Sequence, residues 1–390
     1  MLTMAADPAR LANLRLVCPR CGATTVVSAQ VWRCPTCAGP LAWDGPRVMN
    51  RSLMAADIPS LWRYGAVLPV GSEATVSLGE TMTPLVEAQV DGVAVRFKLD
   101  FLLPTGSYKD RGAAVLISAL NTLGVRHAVE DSSGNAAAAI AAYAARAGIA
   151  CTVFAPAAAS AGKLVQAAAY GARVERVEGS RDDVADAAIA AAAADATSTY
   201  ASHNWHPFFV EGVKTWALEV WEQLGYRAPD NVVVPVGSGS MLLGAHLAFS
   251  QLRDGEEIAR LPRLFAAQPA ACAPLHAAFS AGADDVTPVE RRPTLAEGAS
   301  IARPVRGREL LLALRESDGG TVAVEEDEIA SGLRDLGRQG LYVEPTSAVA
   351  VAGVRRLLAR KEIRPTDVTV VMLTGSGLKA TETIRGLLPS

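Results

Sequence analysis

The sequence has no block of basic residues, no long apolar run free of charge and no recognisable secretory leader. Its 37 lysines and arginines are balanced by 40 aspartates and glutamates, and the formal net charge of −3 argues against a nucleic-acid-binding protein. The longest alanine-rich run, around Ala185–Ala196, contains Asp186 and Asp195 and is therefore not expected to span a membrane. No charged segment followed by a long apolar core opens the chain. We expect a cytoplasmic protein with neither a nucleic-acid nor a membrane partner.

Cysteine is scarce, with six residues in 390, but four of the six form two pairs. "CPRC" holds Cys18 and Cys21, and "CPTC", after a gap of twelve residues, holds Cys34 and Cys37. Two pairs at this separation can close one tetrahedral thiolate site, to which each pair is supplied by a tight turn. Four thiolates leave no coordination position open for chemistry, so we predict a structural zinc ribbon over residues 1–45. Disulfides or a redox-active pair are the alternatives.

Half of the residues are hydrophobic, and 390 residues suffice for two or more domains. From "VAVRFKLD" onward, short apolar runs typical of strands alternate with alanine-rich runs typical of helices, as in "RHAVED" followed by "SGNAAAAIAAYAARAG". Apolar strands that alternate with helices indicate mainly parallel sheets covered on both faces. We therefore predict an α/β fold with two doubly wound domains that follow the ribbon.

Three polar loops follow predicted strands: "EDSSGN", "PVGSGS" and "LTGSG". Ligands of open parallel sheets bind outside the carboxyl ends of the strands, so these loops are expected to converge on one crevice. The small residues of the second loop let backbone N–H groups turn onto a phosphate. That loop consists of Gly237, Ser238, Gly239, Ser240 and Met241. The motif matches neither the Rossmann nor the P-loop fingerprint, and a turn that merely connects two elements is the alternative.

The other two loops are equally ambiguous when taken alone. Ser132 or Ser133 can cap the helix that follows; alternatively, the free N–H groups at its start, with Asn135 in the first turn, can hold a carboxylate. Thr374 can face a ligand or satisfy a turn. The segment "YVEPTSA" is typical of a helix start, and a role for its Glu344 beside a ligand stays open.

A single lysine, Lys109 in "LPTGSYKDRG", lies where a helix is predicted to begin. The helix dipole is positive at this end, which makes the position a poor one for a charged lysine. The same environment, together with burial, favours the neutral amine that a Schiff-base lysine needs. A solvated lysine beside Asp110 and Arg111 is the alternative, and it weakens once the three loops are considered with Lys109.

Six segments, in this order, resemble the threonine synthase family: "PTGSYKDRG", "SSGN", "PVGSGS", "EGVKTWALEVWEQLG", "YVEPTSA" and "LTGSGLK". The resemblance runs from about residue 50 to about residue 385, and some members of the family carry a similar cysteine-rich head. It implies a pyridoxal 5′-phosphate (PLP) enzyme of the tryptophan synthase β group, fold type II. Such an enzyme is a lyase or synthase that acts on a small amino-acid substrate, and we expect a homodimer.

The resemblance also implies a role for each matching residue. Lys109 resembles the Schiff-base lysine that moves a proton between Cα and Cβ, and Asn135 resembles the partner of the cofactor's 3′-oxygen. The loop Ser132–Gly134 resembles the holder of the substrate carboxylate, and Gly237–Met241 resembles the phosphate loop. Thr374 resembles the hydroxyl that faces the pyridine nitrogen. A hydroxyl is too weak an acid to protonate that nitrogen fully, which favours elimination or replacement at Cβ and Cγ over transamination.

The domain plan follows from the same resemblance. Residues 46–132 and 215–390 are expected to form a larger PLP-binding domain. Residues 133–214 are expected to form a smaller, mobile domain that closes over the substrate.

The sequence departs from the family where the substrate phosphate is expected to bind. The family reads like Asn-Ser-x-Asn-Pro-x-Arg-x-Glu-Gly, whereas this chain has "HNWHPFFVEG", with His203 at the first Asn position and Phe209 at the Arg position. The family's phosphate loop usually ends in Gly-Asn, and here it ends in Ser240-Met241. Residues 201–212 contain no lysine or arginine, and a phosphate dianion without such a partner is poorly held. We predict His203 and Phe209 as substrate contacts.

Three functions are therefore weighed. The family hypothesis is the conversion of O-phosphohomoserine to threonine and phosphate. The first alternative is a threonine-synthase-like enzyme with another substrate, which eliminates and deaminates serine or threonine or carries out β/γ-replacement. The second is a non-catalytic protein that keeps the PLP fold, and the joint presence of Lys109, Asn135 and the Gly/Ser loop argues against it.

Overall fold

A computed structural model of the chain describes residues 11–71, 75–159 and 161–387. The first ten residues of the predicted head and the last three of the predicted larger domain lie outside the described residues.

The chain divides into two compact units. Unit 1 comprises Met1–Met82 and Lys109–Thr215, and unit 2 comprises Thr83–Tyr108 and Trp216–Ser390. Residues 109–132 group with unit 1 in this division, and the domain boundaries that we predicted stay a prediction.

The described residues form thirteen strands, numbered in chain order: β1 (Arg15–Val17), β2 (Thr24–Val26), β3 (Ala42–Trp43), β4 (Leu85–Val90), β5 (Val93–Leu99), β6 (His127–Glu130), β7 (Ala150–Pro156), β8 (Arg173–Val177), β9 (Ser198–Tyr200), β10 (Asn231–Pro235), β11 (Arg263–Pro269), β12 (Gly320–Val324) and β13 (Thr369–Leu373).

The same residues form twelve α-helices: α1 (Lys109–Thr122), α2 (Asn135–Ala147), α3 (Ala161–Ala169), α4 (Arg181–Ala193), α5 (Pro207–Val213), α6 (Thr215–Gln223), α7 (Ser240–Asp254), α8 (Pro274–Ser280), α9 (Gly307–Glu316), α10 (Glu326–Arg338), α11 (Pro345–Ala359) and α12 (Thr381–Arg385). Within the described part of the chain, none of these helices has both the length and the apolar character needed to cross a membrane.

Unit 1 holds two sheets. In the cysteine-rich head, β1 pairs with β2 and β3 in an antiparallel sheet of order β2–β1–β3. The second sheet has the order β8–β7–β6–β9, and all of its strands are parallel. Helix α2 ends before Gly148, whose φ of +70° is the left-handed conformation that glycine favours at a helix C-terminus. The prediction of a parallel sheet is confirmed for this unit.

Unit 2 holds one six-stranded sheet of order β12–β11–β10–β13–β5–β4. Its neighbouring strands are parallel except at one edge, where β4 pairs with β5 in the antiparallel direction. The central strands β10 and β13 are buried along their whole length. Such burial explains why their sequences are continuous apolar runs rather than alternating ones. The predicted α/β fold with mainly parallel sheets is confirmed here too.

Two glycines let helices α1 and α5 of unit 1 cross at very short distance. A Cβ atom on Gly212 would lie 2.1 Å from the carbonyl oxygen of Arg111, and one on Gly112 would lie 2.6 Å from the ring of Phe209. Both distances are shorter than any van der Waals contact, so only glycine fits at either position. This crossing fixes Phe209 against the beginning of α1, the helix that starts with Lys109.

Candidate functional site

Lys109 is the first residue of α1 and is buried, with 8% of its surface exposed. Its Nζ lies 5.6 Å from the centre of the Phe209 ring, within unit 1. The alternative of a solvated lysine at a helix start is therefore wrong. Its proposed role as the cofactor-binding lysine stays a prediction.

The "SSGN" loop leads into α2, but neither of its serines caps the helix. Gly134 is the N-cap residue, and no side chain caps the helix. Ser132 Oγ instead accepts a hydrogen bond of 3.2 Å from the N–H of Gly134. The expectation that Ser132 or Ser133 caps α2 is therefore wrong, because the Ser132 hydroxyl is used inside the loop. Asn135 is the first helical residue.

Sequence reasoning missed a buried carboxyl cluster in unit 1. Glu130, the last residue of β6, is fully buried, and its Oε1 lies 2.6 Å from His203 Nδ1. The backbone N–H of His203 donates to Oε2 of the same carboxyl at 3.3 Å. The next residue, Asp131, accepts from Arg181 Nη2 and from Ser202 Oγ, both at 3.1 Å. Two adjacent acids at the end of an apolar strand are the signal that could have revealed it, because fully buried acids are almost always paired.

Burial governs the charges in this cluster. Burial raises the pKa of Glu130 to about 8, against the opposing effects of Arg181 and Lys109. Burial, followed by the charge of Lys109, lowers the pKa of His203 well below its ordinary value. Burial and the neighbouring Glu130 raise the pKa of Asp131. Glu130 and His203 together therefore hold one proton on the carboxyl–Nδ1 contact at neutral pH and carry no net charge.

The two predicted substrate contacts, His203 and Phe209, are neighbours in unit 1. Their ring centres lie 5.8 Å apart in an edge-to-face arrangement, and both side chains are buried. Phe209 therefore contacts His203 and also lies near Lys109. His206, the second imidazole of the motif, caps α5, where its Nδ1 accepts a 3.3 Å hydrogen bond from the N–H of Phe208.

The predicted phosphate loop begins α7 in unit 2. Gly239 is the N-cap residue and has a φ of +86°, which side chains rarely adopt. A Cβ atom on Gly239 would lie 2.4 Å from Leu310, and one on Gly237 would lie 2.7 Å from a backbone carbonyl oxygen. Only glycine fits at these two positions, because the backbone of the loop packs directly against neighbouring atoms of unit 2.

The remaining residues of this loop are also fixed in place. Ser240 Oγ lies 3.1 Å from the hydroxyl of Tyr108. Met241 is buried, and its carbonyl oxygen accepts a 3.3 Å hydrogen bond from Trp216 Nε1. Ser238 is half-buried. The loop is therefore held at the positive end of a fifteen-residue helix, where backbone N–H groups suit an anion.

Thr374 follows β13 and is buried among hydroxyl and carboxyl groups of unit 2. Its N–H donates to Ser347 Oγ at 2.9 Å, and its hydroxyl donates to Glu344 Oε1 at 3.2 Å. Its carbonyl oxygen accepts a 2.9 Å hydrogen bond from the N–H of Tyr108, the residue before Lys109. Glu344, whose role stayed open, thus contacts Thr374. The chain that leads into Lys109 is hydrogen-bonded to the loop that carries Thr374.

Each unit, taken by itself, holds groups of the kinds that bind PLP. Unit 1 has a buried amine at Lys109. Unit 2 has a Gly/Ser loop that starts a long helix at Gly237–Met241 and a buried hydroxyl at Thr374. In the described part of the chain, Ser107 Oγ, two residues before Lys109, is buried with no hydrogen-bond partner. A buried polar atom without a partner is uncommon and is consistent with a ligand at this point.

The sulfur atoms of the four paired cysteines cluster in the head. Sγ of Cys18 lies 3.5 Å from that of Cys37, and Sγ of Cys21 lies 3.7 Å from that of Cys34. All four lie within 4.8 Å of one another. Zinc–sulfur bonds of about 2.3 Å place the sulfurs of a tetrahedral site about 3.8 Å apart, so the spacing fits zinc. Disulfide-bonded sulfurs lie at about 2.05 Å, and these thiols are free.

Comparison with known proteins agrees with the residues in the site. The sequence model of a family described as "Pyridoxal-phosphate dependent enzyme" matches residues 76–375. The threonine synthase of Methanosarcina acetivorans is 33% identical over 379 residues, which cover 95% of this chain and 93% of that protein. The threonine synthase of Methanocaldococcus jannaschii is 35% identical over 376 residues, which cover 93% of this chain and 92% of that protein.

The fold is shared with solved structures. A fungal L-serine ammonia-lyase from Rhizomucor miehei has a TM-score of 0.69 at 19% identity and covers 80% of this chain and 98% of its own. At that identity the similarity shows the fold alone, which is the α/β arrangement of fold type II.

Proposed function

This chain belongs to the threonine synthase family of pyridoxal-phosphate dependent enzymes, and we propose that it cleaves a carbon–oxygen bond in a small amino acid. The nearest activity is the conversion of O-phosphohomoserine to threonine and phosphate. The observation that carries the proposal is the buried Lys109 at the first position of α1, inside the family's own motif.

Each proposed role rests on a feature of the chain. When bound, PLP supplies an electron sink at Cα of an amino acid. Lys109 binds it and moves the proton of Cα, and the backbone of Gly237–Met241 holds its phosphate. Asn135 binds its 3′-oxygen, and Thr374, held by Ser347 and Glu344, faces its pyridine nitrogen.

The substrate side is proposed to consist of unit 1 residues. The positive start of α2, which follows Ser132, Ser133 and Gly134 in the chain, suits a carboxylate. His203 and Phe209 are proposed to contact the side chain of the substrate.

A second candidate is a threonine-synthase-like enzyme with an unphosphorylated substrate. Phe209 takes the place of the family's arginine, and the carboxyl pair Glu130–Asp131 lies behind His203. The arginine of this cluster, Arg181, is already paired with Asp131. Neither feature helps to bind a phosphate dianion.

O-Phosphohomoserine separates the two candidates. Purified holoenzyme is incubated with it, and free phosphate and threonine are assayed. Equal amounts of both products support the nearest activity. No turnover, with the absorbance of bound PLP intact, excludes that activity and leaves a different carbon–oxygen substrate. A colourless protein that takes up no PLP supports the non-catalytic alternative.

We also propose that the four cysteines bind one structural zinc ion and that the head braces the segment carrying His203. Within unit 1, the Trp32 ring packs edge-on against Tyr200 and Trp205, with centres 4.8 and 5.4 Å away. Thr199 Oγ1 donates a 2.6 Å hydrogen bond to the carbonyl oxygen of Ala29. These contacts join the head to both ends of the short stretch 199–205.

Loss of a cysteine should therefore remove the metal and loosen this segment. We expect Cys21→Ser to bind no zinc and to be destabilised on the order of 3 kcal/mol, because the metal stabilises the folded head. Elemental analysis gives the zinc content, and thermal unfolding gives the stability. Cys272→Ala, which lies in unit 2, should keep one zinc per chain. Unchanged zinc content in Cys21→Ser contradicts the proposed site.

We further propose that the enzyme is a cytoplasmic homodimer. Its larger domain, residues 46–132 and 215–390, binds PLP, and residues 133–214 close over the substrate. Light scattering of the purified holoenzyme tests the dimer, and a mass equal to one chain contradicts it.

A further inference from the structure

The buried Glu130–His203 contact in unit 1 has a feature that a purely structural pair does not need. Both carboxylate oxygens of Glu130 are occupied by His203, one by Nδ1 and one by the backbone N–H. Within the described residues, every hydrogen bond of His203 is made by its backbone N–H or its Nδ1. The second ring nitrogen, Nε2, is therefore left for a group other than the described protein atoms.

The position of this nitrogen relates it to the reacting lysine. The ring of His203 packs against the ring of Phe209, which lies 5.6 Å from Lys109 Nζ. The charge of Lys109 acts on both Glu130 and His203. The imidazole thus lies near the amine that is proposed to hold the cofactor, on the side assigned to the substrate side chain.

The charges around the pair favour one kind of leaving group. Arg181 forms an ion pair with Asp131. The direct partner of Glu130 is therefore the uncharged imidazole of His203. An uncharged pair beside an already paired arginine offers no cation to a phosphate dianion, and a phosphate leaving group needs no added proton. A hydroxyl group is neutral and leaves easily only when it is protonated.

We propose that His203 Nε2–H protonates the leaving hydroxyl of an unphosphorylated β- or γ-hydroxy amino acid and that Glu130 replaces that proton at Nδ1. The inference rests on the proposed function and specifies its substrate class. The carbon–oxygen bond breaks, its electron pair stays on oxygen, and the oxygen takes the Nε2 proton and leaves as water. The proton of Glu130 moves to Nδ1, which leaves a carboxylate and a neutral imidazole. Before the next turnover, Nε2 takes a proton from solvent and the Nδ1 proton returns to Glu130, which restores the starting pair.

The pH dependence follows from the proton on Glu130. Because the pKa of Glu130 is raised to about 8, the Glu130 carboxyl is protonated below that pH and ionised above it. Activity on a hydroxyl substrate should therefore be present below pH 8 and decline above it. The other titratable or charged groups that face the pair are Asp131, Arg181, Lys109, Tyr200 and Cys151. Burial raises the pKa of Cys151 to about 12 and that of Tyr200 further still, so neither titrates in this range.

Two variants separate proton donation from support of the fold. In His203→Asn, the side-chain amide can keep the contact that Nδ1 makes with Glu130, but nothing replaces Nε2. Glu130→Gln keeps the shape of the carboxyl and cannot give up a proton. His276→Asn is the control, because His276 makes a similar Nδ1 contact, of 2.9 Å to Thr321, in unit 2.

The substrates are L-serine, L-threonine and L-homoserine, compared with β-chloro-L-alanine, whose chloride leaves without a proton. With the best hydroxyl substrate, kcat of His203→Asn and Glu130→Gln should fall by about 10²-fold or more. With β-chloro-L-alanine it should change by less than about threefold. The decline above pH 8 should be absent with β-chloro-L-alanine, which needs no proton. It should also be absent in Glu130→Gln, because that variant lacks the carboxyl that titrates. An equal loss on both substrate classes, or no loss on either, overturns the inference.

The wild-type holoenzyme separates failure of this inference from failure of the proposed function. Turnover of O-phosphohomoserine, but of no hydroxyl substrate, overturns the inference and leaves the nearest activity standing. Turnover of β-chloro-L-alanine alone overturns the inference and shows only that the enzyme eliminates a leaving group that needs no proton. No turnover of any of these compounds by PLP-loaded enzyme overturns both.

Discussion

Replacing Lys109 with arginine should abolish turnover, with a loss of at least about 10⁴-fold in kcat. Arginine keeps the positive charge and most of the length at the start of α1, but its guanidinium is not deprotonated in proteins and cannot form the bond to PLP. The variant should also lose the absorbance band of lysine-bound PLP near the visible edge. Absorbance spectroscopy and a turnover assay on the same preparation measure both effects.

The control for this variant is Lys361→Arg. Lys361 is exposed beyond the end of α11, where the same chemical change should alter neither absorbance nor turnover. Thermal unfolding of both variants checks that Lys109→Arg is folded. Wild-type absorbance and activity in Lys109→Arg would place the cofactor on another residue.

Replacing Gly212 with alanine should have the second largest effect. The added Cβ would lie 2.1 Å from the carbonyl oxygen of Arg111, and a backbone atom in the middle of a helix crossing cannot move away cheaply. We expect unit 1 to be destabilised by about 3 kcal/mol. Because Gly212 lies on α5 together with Phe209, KM for the true substrate should rise as well.

Gly337→Ala is a matched control for Gly212→Ala. Gly337 is also helical and exposed, and a Cβ atom there would meet nothing within 4 Å. Alanine at an open helical position should stabilise by less than about 1 kcal/mol. Denaturant unfolding measures both variants. Equal stability of Gly212→Ala and Gly337→Ala would contradict the close crossing of α1 and α5.

Local sequence patterns were sufficient to predict the sheets. The apolar runs of β10 and β13 are buried along their whole length, which is why they could be identified without any alternation. The start of α1 at Lys109 and the end of α2 before Gly148 also follow from local signals. The short strand β9 and the antiparallel edge strand β4 were not predicted, because neither carries a strong local pattern.

The side-chain contacts of the site could not be predicted in the same way. Glu130 and His203 lie 73 residues apart, and Ser347 and Thr374 lie 27 apart, so only the folded chain brings them together. Of the two alternatives for the loop before α2, capping by a serine was wrong because the Ser132 hydroxyl accepts from the Gly134 N–H inside the loop. The quoted segment "EDSSGN" contained the two acids, but the sequence does not show that β6 buries them.

The most direct test is to locate the cofactor on the wild-type chain. The holoenzyme is reduced with sodium borohydride, which makes the lysine–PLP bond permanent, and is then digested and analysed by mass spectrometry. The added mass of reduced PLP should be found on the peptide that contains Lys109. Its presence on a different lysine, such as the buried Lys98 or Lys214, or its absence from every peptide, would contradict the central claim.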